Sequence, residues 1–225
     1  MCNGITQRSE QACIMKCEMT QNTIVVDKVI LNFGCGDTTM PGAINVDHIK
    51  LPNVDKAFDF ETFPYPFETN SVDEIHMYFV LEHLVNHVGV IKELHRILKV
   101  GGILYIRVPH GSGCYGQWGE FTHQRGYGYR SFDIFSVDSK RAYYTDVRFN
   151  ILVRKCKYFL TYPYDFYKYN TWIPHWEKCW YSPVVKVFIN VVQFFINLSP
   201  ELFERFWCYW VGGAAEVYVE MEKAA

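Results

Sequence analysis

The chain has almost no net charge: 22 Lys and Arg stand against 24 Asp and Glu in 225 residues, a formal −2. A broad basic field for nucleic acid is therefore missing. Long unbroken hydrophobic runs are missing too. The most apolar stretch, 183–198, is interrupted by Lys186, Asn190, Gln193 and Asn197 at steps of four, three and four, which lays one polar stripe along a helix. It is too short and too amphipathic for a transmembrane span, and it lacks the positive charge of a membrane-surface helix. The pattern predicts a helix packed on the core or on an aromatic lid, with a dimer face or a membrane-surface contact as the alternatives. The N-terminus is polar and has no apolar core segment, so no signal peptide is expected. The eight cysteines then read as reduced thiols of a cytoplasmic protein, not as a disulfide framework. Cys13-x3-Cys17 lacks the next cysteine of an iron–sulfur motif, Thr20 standing in its place. No Gly-Lys-Ser/Thr closes a glycine-rich loop, which excludes a Walker phosphate site.

What is present centres on residues 29–48. An apolar run, Val29 to Phe33, ends in Gly34-Cys35-Gly36, and a second, Ala43 to Val46, ends in Asp47. Two buried parallel strands read this way, apolar until the chain leaves the sheet. Glycines at the first exit let backbone approach a ligand without a Cβ in the way. An acid at the second exit can accept hydrogen bonds from a ribose diol. A nucleoside-containing ligand at the carboxyl edge of an open α/β sheet follows. A dinucleotide fingerprint would need a third glycine and an acid about 20 residues later. Here Thr39 holds the third-glycine position and Asp47 follows Gly36 by only 11 residues, so NAD is disfavoured.

Five ordered blocks over roughly residues 29–135 resemble the class I S-adenosylmethionine-dependent methyltransferases. Gly34-Cys35-Gly36 after a strand is similar to the first motif. Phe58-Asp59-Phe60 with Phe63-Pro64-Tyr65-Pro66-Phe67 resembles the adenine-side loop. Ser71-Val72-Asp73-Glu74-Ile75 and Val80-Leu81-Glu82-His83-Leu84 resemble the fourth strand and its exit. Glu93 to Gly102 resembles the helix and turn before strand five, and Thr122-His123-Gln124-Arg125 resembles an Asp-x-Thr-His-x-Arg stretch of the same relatives, with Glu120 in place of the usual acid-Pro pair. Asn32 occupies a position where the family usually carries an acid. The Gly36–Ala43 connection is too short for a crossover helix, and a turn is expected there.

The resemblance implies an α/β, Rossmann-like class I methyltransferase fold. Its seven-stranded sheet has the order 3-2-1-4-5-7-6 with strand 7 antiparallel, and an aromatic-rich helical insertion is added. The chain divides into an N-terminal segment 1–27, a donor-binding core 28–159, the insertion 160–213 and a last strand 214–225, all one domain. Strands are expected at Lys28–Phe33, Ala43–Val46, Lys56–Phe60, Glu74–Val80, Ile103–Val108, Phe149–Phe159 and Ala215–Met221. A helix is expected at Val88–Leu98, stopped by Val100-Gly101-Gly102, and a short one at Ser131–Ser136.

The resemblance also implies S-adenosyl-L-methionine as cofactor and S-adenosyl-L-homocysteine as product. Asn32, Gly34 and Gly36 are expected around the methionine part, Asp47 on the ribose, Asp59 toward the adenine amine, and Glu82 and His83 beside the donor. In-line methyl transfer needs positioning above all, and a base only for a protonated acceptor. His123 and His110 are the candidate bases. Arg125, Trp118 and Tyr127 in the aromatic loop are candidate acceptor contacts. No metal is obligatory. A small molecule or glycan precursor, methylated on oxygen or nitrogen, is the expected acceptor, and a homodimer is an open possibility. The rivals are a nucleic-acid methyltransferase, opposed by weak charge and by the lack of an Asn/Asp-Pro-Pro-Tyr/Phe motif, and a non-catalytic scaffold with the same fold.

Overall fold

The computed structural model describes residues 28–113, 117–157, 183–210 and 213–225. The expectations for segment 1–27, for Cys13 and Cys17, and for the first part of the insertion lie outside the described residues. Seven strands form one sheet: β1 (Ile30–Phe33), β2 (Ile44–Asp47), β3 (Lys56–Ala57), β4 (Val72–Tyr78), β5 (Leu98–Pro109), β6 (Phe149–Lys157) and β7 (Glu216–Lys223). Their order is β3-β2-β1-β4-β5-β7-β6, as expected. β7 runs antiparallel to both neighbours, and the other pairs are parallel. The apolar central runs are covered on both faces. Leu31, Phe33, Ile75, Met77, Leu104 and Ile106 are fully buried in one core cluster.

Helix α1 (His87–Ile97) crosses between β4 and β5. Asn86 caps it by accepting from Gly89 N at 2.9 Å, and Val90, Ile91, Leu94 and Ile97 face the core. The glycines do not stop it. Leu98 already has extended backbone, and β5 starts there, five residues before the expected Ile103. The pairing then jumps from Val72↔Leu98 to Glu74↔Ile103, so residues 99–102 bulge out of the ladder. Gly101 turns the bulge at φ +78°, and Gly102 runs so close to β4 that a Cβ would stand 2.9 Å from Asp73 O.

β3 is also shorter than expected. Phe58 and Phe60 leave the sheet to pack on Phe33, at ring distances of 6.0 and 4.1 Å, and this takes the chain off the edge. The β1–β2 connection is two turns without a helix, as its length requires. Asn32 and Asn45, paired across the two strands, brace it: Asn32 Nδ2 donates to Thr38 O and to Asn45 Oδ1 at 3.0 Å each, and Met40 N donates to the same Asn45 oxygen at 3.0 Å.

Helix α2 (Pro183–Leu198) lies along β6. The C-terminal part of its polar stripe, Gln193 and Asn197, faces inward beside buried Ile196, while Asn190 is exposed. Asn197 Oδ1 accepts from Cys156 N at 3.1 Å, Asn197 Nδ2 donates to Cys156 O at 3.0 Å, and Gln193 Nε2 donates to the same carbonyl. Its apolar side, with Val187, Phe188, Phe194, Phe195 and Leu198, is exposed. A contiguous helical run, 200–210, follows, π-helical over Phe203–Trp207. Among the described residues no helix is long and apolar enough to cross a membrane.

Candidate functional site

The carboxyl ends of β1 and β2 meet at one hydrogen bond. Gly36 N donates to Asp47 Oδ2 at 2.8 Å, while Asp47 Oδ1 accepts from Ile49 N at 3.0 Å and faces His48 Nδ1 at 3.0 Å. Asp47 is buried at the strand end, so its carboxylate is held in one orientation. The two glycines differ in kind. Gly34, at φ +74°, is forced by packing: a Cβ there would stand 2.1 Å from Val80 Cγ2. Gly36, at φ +53°, has nothing within 4 Å of where a Cβ would be, so its backbone faces open space. Asn32 uses its amide to hold the turn, as described above. Asp59 is exposed and accepts from Glu61 N at 3.0 Å and Thr62 Oγ1 at 2.8 Å. Those bonds hold its carboxyl below the usual carboxylate range.

Val80, wedged against Gly34, carries the chain from β4 into a single 3-10 turn, Leu81–His83. Glu82 on that turn is fully buried, and neither carboxylate oxygen has a hydrogen-bond partner. Burial, with Glu120 nearby, pushes its pKa up to about 8. The loop after β5 folds over this turn: Gln124 N donates to Glu82 O at 2.7 Å, and Tyr127 Oη donates to Leu81 O at 3.3 Å. This places His123 on His83, ring centroids 4.6 Å apart at 70°. Burial and the neighbouring His123 lower the His83 pKa. Ligand atoms of Glu82, His83 and His123 all lie within 4.8 Å of one another.

His110 lies elsewhere. Its Nδ1 accepts from Ser112 N at 3.1 Å, and its Nε2 meets Glu204 Oε1 at 2.9 Å, so both nitrogens are engaged in tying β5 to the 200–210 run. Tyr127 is buried, stacked on Phe132, and carries Arg125 over its ring at 5.1 Å. Trp118 stands 70% exposed on the same loop.

Residues 39–106 match the family model described as a methyltransferase domain, and the sheet order is that of its class I fold. Over that segment, about a third of its length, the chain is similar to a methyltransferase domain. No curated protein matches. Among solved structures it is similar to an S-adenosylmethionine-dependent methyltransferase from Archaeoglobus fulgidus, at 12% identity over 96% of this chain and 94% of that one, with a TM-score of 0.47. It is also similar to the YcgJ protein from Bacillus subtilis, at 14% identity over 88% and 92%, with a TM-score of 0.47.

The candidate site thus has two halves. One is Gly36 and Asp47, with Asn32 behind them. The other is Glu82, His83 and His123, joined to the first through the Val80–Gly34 contact. The open backbone at Gly36 beside a fixed carboxylate fits a nucleoside carrying a methionine chain. Sequence reasoning missed Val80, whose isopropyl group sets the Gly34 requirement. It also missed Gln117, buried with neither side-chain atom paired and supplying the carbonyl that orients His123.

Proposed function

We propose that this methyltransferase moves the methyl group of S-adenosylmethionine to an oxygen or nitrogen of a small molecule or glycan precursor, releasing S-adenosylhomocysteine. The observation that carries this reading is the pairing of a fixed donor edge, Gly36–Asp47, with a histidine pair at the adjoining β4 exit. The donor lies along Asn32, Gly34, Gly36 and Asp47, its adenine toward Asp59, and Glu82 and His83 border its reactive end. The acceptor enters under the loop 117–127, held by Arg125, with Trp118 and Tyr127 excluding water. His123 is the residue through which the acceptor loses its proton. His110, with both nitrogens engaged, supports the loop and is the weaker candidate. The net charge of −2 disfavours nucleic acid as acceptor. Free thiols at Cys35, Cys156 and Cys208 support a reducing cytoplasm. The exposed apolar face of α2 supports a homodimer, readable by sedimentation.

Calorimetry with S-adenosylmethionine and S-adenosylhomocysteine, followed by a methyl-transfer screen over hydroxyl and amine acceptors, tests the reading. Binding of both and turnover of one acceptor class are expected. A chain that binds neither is a scaffold with a methyltransferase fold. In the screen's best assay, His123→Asn loses about a hundredfold in turnover while donor affinity stays intact. Equal losses in both would make His123 a packing residue.

A further inference from the structure

Two clusters in the described residues bring three metal-ligating side chains together: Glu82, His83 and His123, and separately His110, Cys156 and Glu204. Their hydrogen bonding differs. In the second cluster, His110 accepts at Nδ1 from Ser112 N and donates at Nε2 to Glu204, so no lone pair is left. Burial also pushes the Cys156 thiol up to about 12. That cluster is satisfied by its own members.

The first cluster is arranged the opposite way. His123 Nδ1 lies 3.1 Å from Gln117 O, a pure acceptor, so Nδ1 carries the hydrogen and Nε2 the lone pair. His83 Nδ1 lies 2.8 Å from Thr122 Oγ1, whose own hydroxyl donates to Glu120 Oε1 at 3.2 Å. Thr122 therefore accepts from His83, and His83 too keeps its lone pair on Nε2. A backbone carbonyl and a hydroxyl–carboxylate relay fixing the tautomers of two imidazoles is the support that metal-binding histidines have. Between them lies Glu82, fully buried, with two unpartnered oxygens. A carboxylate in that state is costly unless a proton or a cation compensates it.

We propose that Glu82, His83 and His123 form a binding site for a divalent transition-metal cation of the zinc type. Two imidazole nitrogens and one carboxylate match that class and not magnesium or calcium, which take oxygen ligands. Donor atoms around a tetrahedral cation stand about 3.3 Å apart, for bonds of about 2.0–2.2 Å. One ligand atom from each of the three residues lies within 4.8 Å of the others, and a small inward shift of the two rings would close the site. Both histidines are only partly buried, so the cluster is not closed off from solvent. With a cation bound the His123 lone pair is taken up, so the cation and not the free imidazole would acidify an acceptor hydroxyl. That use rests on the methyl-transfer reading, whereas the site itself does not.

The test is titration of the full-length, chelator-treated protein with Zn²⁺ by calorimetry and with Co²⁺ by visible absorption. One equivalent is expected, with d–d bands of a low-coordinate nitrogen–oxygen site and a rise in the thermal midpoint with Zn²⁺ concentration. Glu82→Gln and His123→Asn should each weaken binding about a hundredfold or more, and Thr122→Val about tenfold through the lost tautomer support. Cys156→Ser, in the other cluster, should change nothing. Circular dichroism and melting of each variant show that it folds. No binding, binding that survives Glu82→Gln with His83→Asn, or binding lost in Cys156→Ser overturns the proposal. So does a Glu82→Gln variant that loses affinity for S-adenosylmethionine and keeps it for Zn²⁺, because Glu82 then faces the donor's ammonium. Donor binding and turnover are measured on the same samples. Turnover in chelator without metal binding defeats the metal site alone, and Zn²⁺ binding by a protein that ignores S-adenosylmethionine defeats the methyl-transfer reading alone.

Discussion

Gly36 donates its backbone N–H to the carboxylate of Asp47 at 2.8 Å, so the ends of β1 and β2 are locked to each other. A carboxylate has room for further donors beside the two amides it holds. A ribose diol can therefore use Asp47 without breaking the lock. Asp47→Ala removes both the diol contact and the brace on the Gly36 turn. Donor affinity should fall at least tenfold, about 1.4 kcal/mol or more. Unchanged affinity for S-adenosylmethionine by calorimetry would reduce Asp47 to a turn residue.

Gly34 is constrained from the other side. Its φ of +74° and the 2.1 Å approach of a Cβ to Val80 Cγ2 are two separate penalties. Gly34→Ala should destabilise by about 3 kcal/mol or more, from left-handed backbone and overpacking together. Adding Val80→Ala removes the methyl clash and leaves the backbone cost. The double variant should therefore melt above the Gly34→Ala single. If it melts no higher, Val80 is not what requires the glycine.

The central strands were legible because a strand covered on both faces must be apolar throughout, and Val29–Phe33 and Ile103–Val108 are nearly so. The Gly34–Gly36–Asp47 group was legible because strand exits concentrate glycine and acid. What was hidden depends on contacts far apart in sequence. His83 and His123 meet only because Gln124 N bonds Glu82 O. The early start of β5 depends on a bulge that the glycines permit and the helix does not need. Periodicity showed that α2 has two unlike faces, but not that Gln193 and Asn197 turn toward the sheet: the backbone N–H and C=O of Cys156 on the edge strand decide that.

Among the described residues Arg107 is the largest fully buried side chain, and its Nη2 meets Glu216 Oε2 at 2.5 Å, with Lys157 Nζ on Glu216 Oε1 at 2.8 Å. One carboxylate thus serves two cations from β5 and β6. Glu216→Ala removes this carboxylate from both, and should cost about 3–5 kcal/mol in urea unfolding. Arg107→Met with Glu216→Leu replaces the main pair by apolar groups of similar size. That double variant should recover much of the loss. A single variant with stability near wild type would mean that water reaches the pair.

Helix α2 seals the sheet edge with side chains. β6 is the last strand, so the backbone of Cys156 has no strand beyond it, and Asn197 takes its place, accepting from Cys156 N and donating to Cys156 O. Cys156 is buried, so those groups have no water to fall back on. Asn197→Leu keeps the helix propensity and adds apolar surface, which a reading of the helix as an ordinary amphipathic one would score as neutral. It should instead cost about 1–3 kcal/mol, the penalty for burying an amide and a carbonyl with fewer partners. Hydrogen exchange at the Cys156 amide should speed up accordingly. Phe194→Ser, on the exposed face, should change monomer stability by no more than about 0.5 kcal/mol. In most helices of this kind the apolar-to-polar change is the damaging one and the polar-to-apolar change is mild. Here the order should be reversed. A normal order in thermal melts, together with an unchanged exchange rate at Cys156, would show that the apolar face of α2 is the one held against the protein.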